Sequence, residues 1–118
     1  MNRAHGGDHC GPSALGEEDA ADALAALGNR TRLRLFKLLM RAGPEGLIVG
    51  EVQRHMDMPA STLAHHLAAL ARAGLVSQER RGREVVCTAD YATMHGLVGW
   101  LTQECCTGVR LASKVGAA

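Results

Sequence analysis

A chain of 118 residues with nearly balanced charge, 13 Lys and Arg against 12 Asp and Glu, has room for one domain with a modest core. Phe36, Tyr91 and Trp100 are the only aromatics although 47% of the residues are apolar, so that core must be aliphatic. No apolar run is long enough to span a bilayer, no export signal opens the chain, and Cys10, Cys87, Cys105 and Cys106 lack the spacing of a disulfide framework. A cytoplasmic protein with free thiols and no membrane partner is the expectation.

Charge is unevenly distributed. Residues 1–28 hold Arg3 against Asp8, Glu17, Glu18, Asp19 and Asp22, whereas residues 29–84 hold ten basic residues against Glu45, Glu51, Asp57, Glu79 and Glu84. A basic middle points to a nucleic-acid partner despite the near-neutral total. Three segments are expected: a flexible arm over 1–16, one domain over 17–108, and a flexible tail over 109–118. The arm is glycine-rich and aperiodic, and carries His5, Asp8, His9 and Cys10 as potential ligands, without the spacing of a zinc finger.

The first helix is predicted over Glu17 to Leu27, with acidic residues in its first turn and an apolar stripe of Ala20, Ala23, Leu24 and Leu27. Gly28-Asn29 ends it, and Asn29 can cap a second helix, Arg30 to Arg41. There Leu35, Leu38, Leu39 and Ala42 face the core, broadened by Leu33, Phe36 and Met40, while Arg30, Arg32, Arg34, Lys37 and Arg41 form a mostly solvated face. Gly43 to Gly46 is a breaker.

A short helix, roughly Val49 to Met56, is followed by Asp57-Met58-Pro59 and a further helical pattern from Pro59 to Gly74. At about 3.6 residues per turn, Leu63, Leu67 and Leu70 share one stripe, and Ser61, Thr62, His65, Ala69 and Arg72 lie opposite. That outer face is small and polar, with a cation at one end and no acid, as a helix lying in a DNA groove requires. His66 sits about sixty degrees from the leucines and is expected to pack, partly buried, on the preceding helix. Two short helices joined by a tight turn make a helix-turn-helix. Strands are predicted over Leu75 to Arg80 and Glu84 to Ala89, a hairpin whose tip offers Arg80, Arg81 and Arg83 to phosphates.

The last helix is predicted from Tyr91, capped by Asp90, to about Thr107. Tyr91, Met94, Val98, Leu101 and Cys105 recur at spacings of 3, 4, 3 and 4, a seam for another helix. Gly96 and Gly99, each costing about 1 kcal/mol relative to Ala in a helix, suggest close backbone approach at a dimer interface. The fold class is therefore mainly α with a small β-hairpin: a winged helix-turn-helix, and dimeric.

The stretches LGNRTRLRLFKLL, MPASTLAHHLAALARAGLV and QERRGREVV resemble the ArsR/SmtB family of winged-helix repressors, small dimeric sensors of metals and metalloids. The resemblance runs from Ala26 to Cys106. It implies a homodimer built from the first and last helices, bound to double-stranded operator DNA and released by an inducer.

Residues decide which inducer. The family's Cys-x-Cys motif on the first helix of the helix-turn-helix is missing, since Val49-Gly50-Glu51-Val52-Gln53 has no sulfur. Its zinc motif on the last helix is represented only by Asp90 and His95. Cys105 and Cys106 instead resemble the arsenical-sensing branch. Adjacent soft thiols can grip one thiophilic centre, and trivalent arsenic or antimony accepts two or three sulfurs, whereas zinc needs four ligands. Cys10 is the candidate third ligand. The eighteen residues from Cys87 to Cys105 would span roughly 25 Å as a helix, so Cys87 is expected to be a small apolar core residue. No prosthetic group is expected; arsenite, methylarsenite or antimonite is the expected inducer.

The alternative is a thiol-redox repressor of the same fold, disfavoured because these cysteines would face the negative end of a helix dipole, which slows oxidation. An enzyme, such as an arsenate reductase, would need a Cys-x-x-Cys or a phosphate-cradling loop. Neither is present.

Overall fold

A computed structural model describes residues 15–109. The arm over 1–14, with Cys10, and the tail over 110–118 lie outside the described residues. Helices α1 (Glu17–Leu27), α2 (Arg30–Ala42), α3 (Val49–Met56), α4 (Ala60–Arg72) and α5 (Tyr91–Thr102) and strands β1 (Leu47–Ile48), β2 (Val76–Arg81) and β3 (Glu84–Ala89) follow one another as α1-α2-β1-α3-α4-β2-β3-α5. This is a winged helix-turn-helix, mainly helical with one small antiparallel sheet.

Local chemistry sets the helix boundaries. Asn29 accepts a hydrogen bond from the Arg32 N–H at 3.0 Å, the expected cap of α2, worth about 1 kcal/mol. Glu51 reaches back to the Ile48 N–H at 3.0 Å and secures the start of α3. Asp57, in the left-handed region at φ 54°, closes α3, and the Gln53 side chain donates to the Met58 carbonyl at 3.2 Å across the turn. Pro59 stands just before α4 as its N-cap, and the helix closes with Leu75 N–H donating to the Leu70 carbonyl at 3.0 Å.

Leu63, Leu67 and Leu70 are buried, and they pack in one cluster with Leu35 and Leu39 of α2, Val52 and Met56 of α3, and Leu75, Val76, Cys87 and Ala89 of the sheet region. Truncating any one of these leucines to Ala would cost about 2–5 kcal/mol. On α1 the buried face is Ala20, Ala23 and Ala26, while Leu24 is 42% exposed. Of the expected stripe, Ala20 and Ala23 are buried and Leu27 packs half-buried on the core, whereas Leu24 turns outward and Ala26 takes the inner position. Leu33 likewise points outward.

The sheet has three strands, in the order β1-β3-β2, not a hairpin alone. Leu47 pairs with Cys87 and Ile48 with Val86; Val76 pairs with Ala89 and so on to Arg81 with Glu84. Gly46, at φ +70°, allows β1 to lie against β3, since a Cβ there would collide with the Cys87 carbonyl.

The last helix departs most from expectation. It ends at Thr102, not near Thr107. The Thr102 hydroxyl bonds the carbonyls of Val98 at 2.9 Å and Gly99 at 3.3 Å, a back-bond that competes with helix continuation in a turn already weakened by Gly96 and Gly99. Among the described residues no helix is long and apolar enough to cross a membrane.

Candidate nucleic-acid interface and thiol site

On α4 the burial of the three leucines dictates what is left outside. Ser61, Thr62, His65 and Arg72 are exposed, and Ala69 is half-buried. The absence of acids on this face, with α3 crossing behind through a tight turn, leaves a slim polar surface able to enter a major groove.

The wing extends this surface. β2 and β3 are joined by Gly82-Arg83 alone, with Gly82 at φ +66° in the position that a tight hairpin reserves for glycine. Arg80, Arg81 and Arg83 are all exposed at this tip. Arg81 meets Glu79 at 3.1 Å, an ion pair with both side chains more than half exposed. Such a pair is worth little and yields readily to a phosphate.

Two basic residues differ from expectation. Arg32 is not on the solvated face of α2. It stands about 200° around the helix from Arg30, at the edge of the core, where its Nε donates to the Ala26 carbonyl at 2.7 Å. Its Nη1 reaches His66 Nδ1 at 3.4 Å. So His66 faces α2, whereas packing on α3 was expected. Burial first, then Arg32 and His65, hold the His66 imidazole below its ordinary value of 6.5. The helical angle of Arg32 was available in the sequence and is the signal that would have revealed it.

Cys105 and Cys106 lie beyond α5, in successive turns closed by Cys105 N–H to Thr102 at 3.1 Å and Thr107 N–H to Glu104 at 3.2 Å. Glu104 and Cys106 adopt positive φ, 65° and 63°, a conformation costing non-glycine residues about 1–3 kcal/mol each. Both thiols are exposed, and their sulfurs are 3.5 Å apart. The expected position in a final helical turn does not hold, since the helix ends at Thr102.

Cys87 is fully buried on β3, where desolvation pushes its thiol up to about 11. It is a core residue, as expected, and unsuited to ligation. Among the described residues no group of three or more His, Cys, Asp or Glu side chains could hold a metal ion. Cys10 lies outside them.

Of the seam expected on α5, Tyr91 and Met94 are half-buried, and Tyr91 donates its hydroxyl to the Met40 carbonyl at 3.2 Å. Val98 and Leu101 are 52% and 53% exposed. The same helix turns Thr93, Gly96 and Leu97 into its own domain. Val98 and Leu101 of the seam, and Leu24 on the neighbouring α1, are therefore apolar side chains left exposed after the fold has closed.

Residues 27–79 match a family profile described as a helix-turn-helix domain. An uncharacterised HTH-type transcriptional regulator, MJ1325 of Methanocaldococcus jannaschii, is 35% identical over 65 residues, covering 55% of this chain and 71% of its own length. A candidate arsenical resistance operon repressor, ArsR, of Halobacterium salinarum is 38% identical over 60 residues, 51% of this chain but only 46% of that protein. An ArsR-like transcriptional regulator from Rhodococcus sp. RHA1 superposes with a TM-score of 0.64 at 26% identity, covering 73% of this chain and 78% of the other. The structure of a candidate transcriptional regulator for arsenical resistance gives 0.61 at 25% identity, over 81% and 94%.

Proposed function

The chain belongs to the ArsR family of winged helix-turn-helix transcription regulators, and from that premise we propose that it is a metalloid-responsive repressor. As a homodimer it holds operator DNA, and it lets go when trivalent arsenic or antimony binds Cys105 and Cys106. The observation that carries this reading is the 3.5 Å separation of two exposed sulfurs. With bonds of about 2.3 Å, the length of a metal–thiolate bond, one atom bridges that gap at an angle of about 100°, the angle of a pyramidal trivalent centre. Each thiol hands its proton to a departing hydroxyl, so two arsenic–sulfur bonds form as two waters leave.

DNA binding falls to Ser61, Thr62, His65 and Arg72 in the groove and to Arg80, Arg81 and Arg83 on the backbone. Val98, Leu101 and Leu24, all large apolar side chains left exposed, supply the dimer surface. Closing an arsenical ring across Cys105 and Cys106 changes the two positive-φ turns that follow α5, and the N-cap of α5, Asp90, is bonded to Leu75 just past the recognition helix. The inducer shifts the equilibrium by its preference for the DNA-free form, and a coupling of about 1–3 kcal/mol is ordinary. Cys10 is the proposed third thiol where inorganic arsenite is the ligand.

A second reading, a thiol-redox repressor, draws on the same contact, because exposed sulfurs in touch can also be oxidised to a disulfide. A mobility-shift assay of operator DNA, with arsenite, methylarsenite, antimonite, zinc and peroxide in parallel, separates the two. Release by the arsenicals and antimonite alone supports the metalloid sensor; release by peroxide alone supports the redox reading.

A further inference from the structure

Arg32 is built unlike the other basic residues of α2. Arg30, Arg34, Lys37 and Arg41 are exposed, whereas Arg32 is half-buried and uses different nitrogens for different elements. Nε takes the Ala26 carbonyl in the last turn of α1 at 2.7 Å, and Nη1 takes Nδ1 of His66 on α4 at 3.4 Å. Its own backbone N–H is pinned by the Asn29 cap. A guanidinium has only donors, so Nδ1 must be the bare nitrogen of His66 and the proton sits on Nε2. His66 adjoins His65 in sequence, and their rings are 5.9 Å apart. The fork therefore joins the end of the first helix to the rear of the proposed groove-reading face.

We infer that Arg32 and His66 are positioning residues that set the angle of α4 in the groove, and that this setting requires His66 to be neutral. The inference rests on the reading of α4 as the recognition helix. The physical ground is one of geometry and donor count. A fork can satisfy two acceptors on separate elements at once, and a lysine cannot reproduce its fixed planar geometry. Protonating His66 removes the acceptor that the described residues offer to Nη1 and places a cation against a cation. Among the described residues, the charged or titratable groups facing His66 are Arg32 from α2 and His65 from α4, both basic, so no acid there offsets that repulsion. Burial and these neighbours already hold the imidazole toward its neutral form. An exposed histidine at a DNA surface acts in the opposite sense, because gaining a proton strengthens its attraction to phosphate. The two effects separate in the ratio of operator to non-operator affinity: added charge raises both affinities, whereas a tilted helix lowers only the specific one.

The test uses the full-length parent, Arg32→Lys, His66→Gln and His65→Ala, each titrated with operator and with non-operator duplex from pH 7.5 down to pH 5.5. His66→Gln keeps an acceptor but cannot ionise. The parent's ratio should fall on acidification, and the His66→Gln ratio should stay level. Arg32→Lys should start roughly three- to tenfold lower at pH 7.5, the range one net hydrogen bond supports, with non-operator affinity unchanged as evidence that it is folded. A parental ratio in Arg32→Lys at pH 7.5, or an acid-induced fall in His66→Gln equal to the parent's, overturns the inference. His65→Ala controls the premise: if it leaves discrimination intact, α4 is not the reading helix and the inference falls with that reading.

Discussion

Asp90 donates its backbone N–H to the Leu75 carbonyl at 2.8 Å, so the residue that caps the last helix is bonded to the residue that closes the recognition helix. The Asp90 carboxylate also accepts from the Thr93 N–H at 2.9 Å and fixes where α5 begins. One short connection thus links the helix that leads to the thiol pair with the helix proposed to lie in DNA. Asp90→Ala removes the cap and should cost about 1 kcal/mol, lowering the melting temperature by about 4–8 °C for a domain of this size. Thermal unfolding followed by circular dichroism reads it directly. An unchanged melting temperature would show that the cap contributes nothing.

The wing and the groove face should fail differently. Arg81→Ala should weaken binding to all duplexes alike and reduce the slope of log affinity against log salt by about 1. His65→Ala should lose about 1–3 kcal/mol of discrimination at one base position, leaving the salt slope nearly unaltered. Fluorescence anisotropy over a salt series distinguishes them. A base-specific loss from Arg81→Ala would reverse the two assignments.

The outward face of α5 predicts assembly. Leu101→Glu together with Val98→Glu should weaken the homodimer by about 3 kcal/mol or more, because a two-fold axis counts each lost contact twice. Sedimentation equilibrium should then find monomer at concentrations where the parent is dimeric. The operator footprint should shrink accordingly from two half-sites, spaced about 34–36 Å or a multiple of it, to one.

Cys87 carries a pH signature of its own. Its thiol is ordinarily at 9.0 and is raised to about 11 by burial, so the folded state holds its proton more tightly than the unfolded chain. Stability from this residue is fully present below pH 9 and is lost as the pH rises through about 11. Urea midpoints at pH 8 and pH 10.5 should therefore diverge in the parent and diverge less in Cys87→Ala. Cys87→Ser should leave inducer release unchanged.

The legible parts of the sequence were those where one periodicity dominated. Leu63, Leu67 and Leu70 announced α4 and, by subtraction, its outer face; three arginines around Gly82 announced the wing. β1 was missed because two residues, Leu47 and Ile48, carry no period, and their pairing to β3 depends on contact across forty residues of chain. On α1, Ala and Leu compete for the core, and only tertiary packing decides that Ala26 is buried and Leu24 is not. The end of α5 was overrun because Glu104 to Thr107 continue a plausible helical composition, whereas the Thr102 hydroxyl and two glycines end the helix earlier. Adjacency of the two thiols was visible; their exposure on strained turns was not.

The most direct measurement is release of operator DNA by the double variant Cys105→Ser/Cys106→Ser, followed by mobility shift against arsenite and methylarsenite. The variant should bind the operator as tightly as the parent and remain bound at arsenical concentrations that release the parent. Adding Cys10→Ser to the comparison should abolish the arsenite response alone if Cys10 is the third ligand. Dissociation of the double variant at the parent's arsenical concentration would contradict the assignment of Cys105 and Cys106 as the inducer site.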